Sequence, residues 1–571
     1  MIYTTRTIQN YHGLRQSGKP LQRRQMSHAQ PIEPGTWDVV VIGGGPVGLA
    51  ATIELARRGV RVMLVERNDR VGHAPRAKTC NVRTCEHLRR WGLVDQLRAR
   101  APFGVDYPSN IVFATRLAGH ALARFENAFF CRPGAHPLYA EHAQWIPQYK
   151  LEETLADHAR DLPAASLRFQ HTVTALTQDD AGVTLTLDTP RGTETIRSRY
   201  VIAADGASSG TRKALGIRMI GDGALSKHRM LIFRAPELAE QHALGPAVAY
   251  WLVNRDAPSV MGPMDDGGRW YFGFTPQPGL EDPVQALRLA TGLDLDPEVL
   301  LTDDWTAYRL VAERYREGRV FLAGDACHLH PPYGGYGMNL GVGDAVDIGW
   351  KLAAVLQGWG GDALLDSYGI ERRPVHLRTI EEAVINHSRS SGSLVTESLE
   401  EDGADGDAAR TTARERILGE KVREFDTLGV VLGYRYDDSP VIVGDGTEAP
   451  PHHYRDFTPS ARPGNRAPHY WLEADSTAYG AALYDRFGRG FTLLVTQGDD
   501  TDTVALRASA DELGVPLTTL AISDPALHAL YGARYVLIRP DQHVAWRADA
   551  MPADAAPLLT IVTGRTQHTI Q

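Results

Sequence analysis

Three glycine-centred segments hold the residue types needed to bind and work a nucleotide cofactor. Gly43-Gly44-Gly45-Pro46-Val47-Gly48 is a GxGxxG pattern. Its first glycine allows a tight turn, its second a close backbone approach to a pyrophosphate, and its third close packing of helix on strand. A helix opening there turns its free amides and its dipole towards phosphates. Glu66, eighteen residues past Gly48, is placed to accept hydrogen bonds from an adenosine ribose. Asp205-Gly206 closes a second apolar run, and Gly324-Asp325 closes a third. The loop after Asp325, ACHLHPPYGGYGMN (326–339), leaves glycine amides free for an electron-rich ring oxygen, while Asp325 can hold a ribityl hydroxyl. The first motif alone does not separate NAD from FAD; the two later segments point to FAD.

The elements that position these residues follow from periodicity. Asp38–Ile42 is rich in β-branched residues and reads as a buried strand. A helix follows with Val47, Ala50, Ile53 and Ala56 on one face and Gly59 as its cap, then a strand over Val60–Val65. This βαβ unit requires a parallel sheet with a right-handed crossover. Short alternating strands fill Leu167–Ala204, and those between Met230 and Phe274 form a mixed sheet in a separate lobe lying mainly over 220–310. Val342–Leu356 is a second strong helix, and the acidic stretch around Ser398–Arg410 reads as a linker or exposed loop. Over 466–571 the pattern restarts: strand Phe491–Val495, helix Thr503–Leu513, strand Leu517–Ile522, helix Pro525–Tyr531, then a hairpin of Tyr535–Ile538 and Val544–Trp546. That order suggests a small thioredoxin-like domain. No cysteine lies beyond Cys327, so its role would be structural. The expected fold is therefore α/β, with a Rossmann-like FAD-binding domain interwoven with a mixed-sheet substrate domain over 36–397, a linker over 398–465 and the thioredoxin-like domain.

Composition removes other classes. The chain has 571 residues, and 60 basic against 69 acidic ones leave a net charge of −9, which argues against nucleic acid as a partner. No apolar run reaches the ~18–20 residues of a membrane span. Four cysteines cannot build a disulfide framework and suit a reducing, cytoplasmic compartment. Residues 1–35 carry no acid before Glu33 and read as a disordered leader, or as a start assigned upstream of Met26; an Arg-rich transit peptide is the alternative.

In these three motifs, in their order and at these distances, the sequence resembles the FAD-dependent aromatic hydroxylases, single-component flavoprotein monooxygenases of the para-hydroxybenzoate and phenol hydroxylase superfamily. The segments RPGNRAPHYWL, LYDRFGRGFTLL and YVLIRPDQHVAWR are similar to the thioredoxin-like C-terminal domain of its phenol and polyketide hydroxylase branch, so the resemblance covers everything after Trp37. It implies that FAD is bound, that NAD(P)H reduces it, and that O2 then hydroxylates a phenolic or polycyclic aromatic substrate through a flavin C4a-hydroperoxide. It also implies roles for individual residues. Gly43, Gly45, Gly48 and Glu66 would bind the ADP half of FAD, with Arg67 beside the adenine. Arg76, in PRAKTCNVRTCEHL, would contact the pyrophosphate and assist reduction. Gln148, in QYKLEETL, would lie near the phosphates, and Asp205 would serve both FAD and NAD(P)H. Gly324 and Asp325 would hold the ribityl chain, Gly337, Met338 and Asn339 would meet the flavin pyrimidine, and the Pro332 carbonyl would line the substrate pocket.

The sequence departs from the family at the substrate. Phenol hydroxylase relatives carry an acid in the segment matching Ala77–Thr79; here that segment is Ala-Lys-Thr, so no base is assigned. Lys78 could attract a phenolate or carboxylate, or point to solvent. In Arg269–Phe274, Tyr271 or Phe272 could face the substrate, or both could be core. His328 and His330 lack further ligands at suitable spacing, as do His452, His453, Cys80 and Cys85, so no metal is expected. A homodimer is allowed. Baeyer–Villiger or epoxidising chemistry on a polyketide is the alternative reaction, and a non-catalytic flavin-binding protein is the alternative from another class.

Overall fold

Strand Trp37–Ile42 runs at the centre of an eight-stranded sheet, with Val41 paired to Ile202 on one side and to Leu64 on the other. Both pairings are parallel, as is that of Val62–Glu66 with Ala165–Phe169 and of Gly192–Ala203 with Val320–Leu322. A parallel sheet covered on both faces explains the unbroken apolar run Val39–Ile42. Helices Pro46–Ala56 and Gly337–Leu356 pack together on it, burying Leu49, Ile53, Val342 and Val346. The computed structural model describes residues 36–69, 77–265, 267–473 and 476–565. The expected leader and Arg76 lie outside the described residues.

The substrate lobe is a second eight-stranded sheet, and it begins earlier than expected. Ile111–Ala114 and Ala121–Phe125 form one edge, Ile111–Ala114 pairing in parallel with Ala249–Leu252. The long strands Met219–Arg234 and Glu298–Ala312 lie towards the other edge, paired antiparallel. Alternation gives the sheet two faces. One carries Leu231, Phe233, Trp270, Phe272 and Phe274 against Ala286, Leu287 and Ala290 of helix Pro283–Thr291. The other carries Ile232 and Tyr271, which share a cluster with Tyr149 of helix Gln148–Arg160.

The stretch expected to be a linker contains a 22-residue helix, Ala404–Phe425, which takes in much of its acidic start. Its acids Asp405 and Asp407 occupy the first turn, where the helix dipole favours negative charge. Ala409, Ala413 and Ile417, four apart, form a stripe that packs with Phe425 on Phe113 and Trp251. A charge-rich helix start had the composition of a loop.

In the C-terminal domain the strand order is Leu517–Ala521, Phe491–Val495, Tyr535–Ile538, Val544–Ala548, parallel at the first pairing and antiparallel at the others. With helices Val504–Glu512, Pro525–Tyr531 and Ala556–Val562 this is the thioredoxin-like order. The domain is welded to the long helices by buried charge. Arg539 donates to Glu371 at 2.6 and 2.9 Å and to Asp541 at 2.6 Å, and reaches Asp347 at 3.2 Å. Lys351 pairs with Asp347 at 2.8 Å, and Arg466 pairs with Glu86. Cys80, Cys85, Cys131 and Cys327 are free and buried. Among the described residues no helix is long and apolar enough to cross a membrane.

Candidate cofactor and substrate site

The first glycine motif has the backbone that its sequence demands. Gly43 sits at φ +108°, reserved in practice for glycine. A Cβ added at Gly48 would overlap the Gly43 carbonyl oxygen, whereas one at Gly45 would meet nothing within 4 Å. Gly48 therefore serves packing, and Gly45 leaves the chain open to a ligand. Glu66 accepts the Gly44 amide at 2.6 Å and, through its other oxygen, the Asn68 amide at 2.9 Å. These residues open onto a groove of about 550 Å³ that is also lined by Arg67, Gln148 and Asp205.

Asp205 accepts the Thr211 amide through one oxygen at 3.0 Å, while its other oxygen is buried and has no partner among the described residues. A buried orphan acceptor is costly unless a ligand supplies a donor, and a dinucleotide's hydroxyls do so. Gln148 accepts from the Ala77 amide at 3.1 Å and donates to Glu152 at 2.7 Å. Arg212 donates to the carbonyl of Ala326 at 3.0 Å, tying the Asp205 loop to the Asp325 loop. The groove, the glycine turn and the orphan carboxylate fit a dinucleotide. Gly48→Ala is expected to destabilise the fold by about 1–3 kcal/mol and to empty the groove. Thermal unfolding and flavin absorbance read both effects, and a fully loaded variant with the wild-type melting temperature would contradict this account.

The second half of the site is the loop from Gly324 to Asn339. Asp325 is exposed on it. Gly324, at φ +61°, passes so close to Val47 that a Cβ would lie 2.9 Å from its Cγ2, which draws this loop onto the first motif. At the far end the helix opens at Gly337, and the amides of Gly337, Met338 and Asn339 have no intrahelical acceptors. Asn339 staples this helix start in place: its side chain accepts the Asn81 amide at 3.0 Å and donates to the carbonyls of Thr79 at 2.9 Å and Gly335 at 2.7 Å. The Pro332 carbonyl accepts the Gly335 amide at 3.1 Å and keeps a second lone pair.

One organising residue escaped the sequence reading. Asp344 is fully buried and accepts the Gly324 amide at 3.1 Å and Arg372 Nε at 2.8 Å, with His328 Nε2 at 3.1 Å and His376 Nε2 at 2.9 Å. Burial opposes its charge, but His376, Arg372 and His328 hold its carboxyl well below the ordinary range. Ligand atoms of Cys327, His328, Asp344 and His376 lie within 4.8 Å of one another. Both Asp344 oxygens are already engaged and a guanidinium sits in the cluster, so we read it as a hub that fixes the Gly324 turn. An acid inside the apolar helix segment Val342–Val346 was the available signal.

The second sheet separates two residues that the sequence left together. Phe272 is 0% exposed in the core that helix Pro283–Thr291 closes on one face of the sheet. Tyr271 turns to the opposite face, where Tyr149, Ile232 and Met264 bury with it, flanked by Trp145, Met230 and Val260. Lys78 Nζ lies 3.6 Å from the Tyr271 ring centroid. Burial lowers the Lys78 ammonium to about 8 and raises the Tyr271 phenol. Further along the same face of Met219–Arg234, Ser226 Oγ lies 2.6 Å from His228 Nε2 and 2.8 Å from His387 Nε2. Burial and the neighbouring His387 lower His228 to about 4, so it is neutral at pH 7.

Comparison with known proteins agrees with this geometry. Residues 36–383 match the FAD binding domain family, and residues 460–565 match the aromatic-ring hydroxylase C-terminal family. Tetracenomycin B2 monooxygenase-dioxygenase of Streptomyces olivaceus is 34% identical over 92% of this chain and 98% of that protein. The 4-methyl-5-nitrocatechol 5-monooxygenase of a Burkholderia species is 33% identical over 91% and 96%. Among solved structures, RebC, described as native and K252c bound, superposes with a TM-score of 0.87 at 35% identity, covering 93% of this chain and 100% of that one. Aklavinone-11 hydroxylase, in a ternary complex with FAD and aklavinone, gives 0.78 at 31% identity over 93% and 100%.

Proposed function

This chain belongs to the FAD-dependent aromatic-ring hydroxylases, and on that footing we propose that it takes its electrons from NAD(P)H, consumes O2 and hydroxylates a phenolic or polycyclic aromatic compound. The relatives named for tetracenomycin and for a nitrocatechol support both substrate sizes. The observation that carries the reading is the Asn339 staple. It sets the helix start that would meet the flavin ring beside Thr79, next in sequence to Lys78, and so beside the Tyr271 face of the substrate sheet.

FAD, when bound, accepts reducing equivalents and activates O2; the protein supplies position and environment. Gly43, Gly45 and Gly48 shape the phosphate turn, Glu66 and Arg67 flank the adenosine, and Gln148 and Asp205 line the remainder of the groove. The Gly324 turn would set the Asp325 carboxylate towards the ribityl chain. The amides of Gly337, Met338 and Asn339 would favour negative charge at the pyrimidine end through the helix dipole. Pro332 and Tyr271 border the substrate, and the apolar cluster of Tyr149, Ile232 and Met264 excludes water that would discharge the activated oxygen as hydrogen peroxide. Buried free thiols suit a cytoplasmic protein. A homodimer is the quaternary state we propose, and sedimentation analysis tests it.

Arg76 is assigned to the reduction step. Arg76→Ala is expected to slow flavin reduction by NADPH about tenfold or more while leaving aromatic-ligand affinity within a few-fold, because a cation that steers an anionic reductant acts on that encounter. Anaerobic stopped-flow measurements read it. Unchanged reduction kinetics would refute the assignment.

A further inference from the structure

The two fully buried lysines among the described residues come with carboxylates: Lys351 with Asp347 and Glu371, Lys421 with Glu424. Lys78, half-buried, has no carboxylate beside it among the described residues. Among the described residues its only recorded side-chain partner is the face of Tyr271, and no acid contributes to its electrostatics. An ammonium withdrawn from water without a counter-charge is expensive, and a ring face returns only part of that cost.

Nor is the position accidental. The backbone of Ala77–Cys80 is pinned on both sides: the Ile146 amide donates to the Lys78 carbonyl at 2.8 Å, the Gln148 amide to Ala77 at 2.9 Å, and Thr79 pairs with Trp145. The ring below is set with equal care. Gly262 lies opposite Tyr271 in the sheet, and a Cβ there would stand 2.9 Å from the Tyr271 Cε1. Its absence lets the ring lie against the sheet and turn its face to the ammonium. Gly273, two residues on and on the same face, keeps the surface beside the ring low. The result is a flat aromatic platform with an uncompensated cation above it, next to the loop stapled by Asn339.

We propose that Lys78 anchors an oxyanion carried by the aromatic substrate, either a carboxylate or an ionised phenol, over the face of Tyr271. This rests on the reading of the site as a hydroxylase pocket, and it defines the substrate class: planar aromatics with an anionic substituent. Bound there, the anion supplies the missing counter-charge and keeps the lysine protonated. An ionised phenol would also enrich the ring for electrophilic oxygen.

The test uses FAD-loaded protein titrated with two anion–neutral pairs and followed by perturbation of the flavin absorbance. The pairs are salicylate with methyl salicylate, and para-nitrophenol with phenol at a pH where only the former is ionised. The wild type is expected to bind at least one anion about tenfold to a hundredfold more tightly than its neutral partner, the range for a hydrogen bond to a charged group. Preference for salicylate alone identifies a carboxylate, and preference for nitrophenolate alone a phenolate. Lys78→Met should abolish the preference while leaving neutral-ligand affinity unchanged, and Lys78→Arg should keep most of it. If the methionine variant loses FAD, Lys78→Gln replaces it. Absence of anion preference or of anion binding in the wild type, or its survival in Lys78→Met, overturns the proposal. So does a variant that changes only the flavin reduction potential, since the lysine would then serve the cofactor. Coupled turnover of neutral phenols without anion preference leaves the hydroxylase reading intact. Anion preference without any coupled turnover does the reverse.

Discussion

Arg539→Ala is expected to destabilise this protein by about 3–5 kcal/mol, the usual cost of removing one partner from a buried ionic cluster. Arg539 is buried, and it is held by Glu371, Asp347 and Asp541 while lying 5.1 Å over Trp350 and 5.1 Å over Tyr436. Without it, Lys351 alone must balance Asp347 and Glu371. At roughly 2–4 °C per kcal/mol for domains of this size, the melting temperature should fall by about 6–20 °C. The loss should appear first as proteolysis near the C-terminal domain, because the cluster joins strand Tyr535–Ile538 and its turn to helices Gly337–Leu356 and Asp362–His387. A variant with wild-type melting and protease resistance would show that the cluster contributes nothing net. The same loss is expected to weaken the proposed cofactor site, since helix Gly337–Leu356 also carries Asp344 and Asn339.

Asp325→Ala is expected to weaken FAD about tenfold to a hundredfold, the worth of hydrogen bonds to a carboxylate, without unfolding the apoprotein. Asp325 is exposed and lies at the start of the Gly324–Asn339 loop, so its loss leaves no cavity. The two effects separate cleanly by linkage. Saturating FAD at a hundred times its dissociation constant stabilises a folded protein by about 2.7 kcal/mol, so adding FAD should raise the melting temperature of the wild type and much less that of the variant. Equal shifts in both would remove Asp325 from the cofactor site. A lowered melting temperature without FAD would make it a structural residue.

How much of this could be seen in the sequence varied with the range of the interactions. Phe491–Val495 and Pro525–Tyr531 were legible to the residue because a fully buried strand and a proline-started helix are locally encoded. The βαβ turn was legible because its glycines answer to steric demands a few residues away. The helix Ala404–Phe425 was not, since its acids are a first turn and its apolar stripe has meaning only against Phe113 and Trp251. Alternation placed Tyr271 and Phe272 on opposite faces but could not say which face is closed off; that depended on helix Pro283–Thr291 covering the Phe272 side. Asp344 was invisible for the same reason, because its partners Gly324, Arg372 and His376 come from three separate segments. At Lys78 the sequence supplied the charge and only the fold revealed that no counter-charge lies beside it among the described residues.

The central claim is that this chain joins bound FAD, NAD(P)H and O2 to the hydroxylation of an aromatic ring on the Tyr271 face. The most direct measurement is turnover of the FAD-loaded protein with NADPH and a panel of phenolic and polycyclic aromatics under isotopically labelled O2, scoring label in the product against hydrogen peroxide released. The account predicts, for at least one aromatic, a product carrying one labelled oxygen atom per NADPH consumed, with little peroxide. NADPH consumption matched throughout by peroxide, with no label in any product, would contradict it.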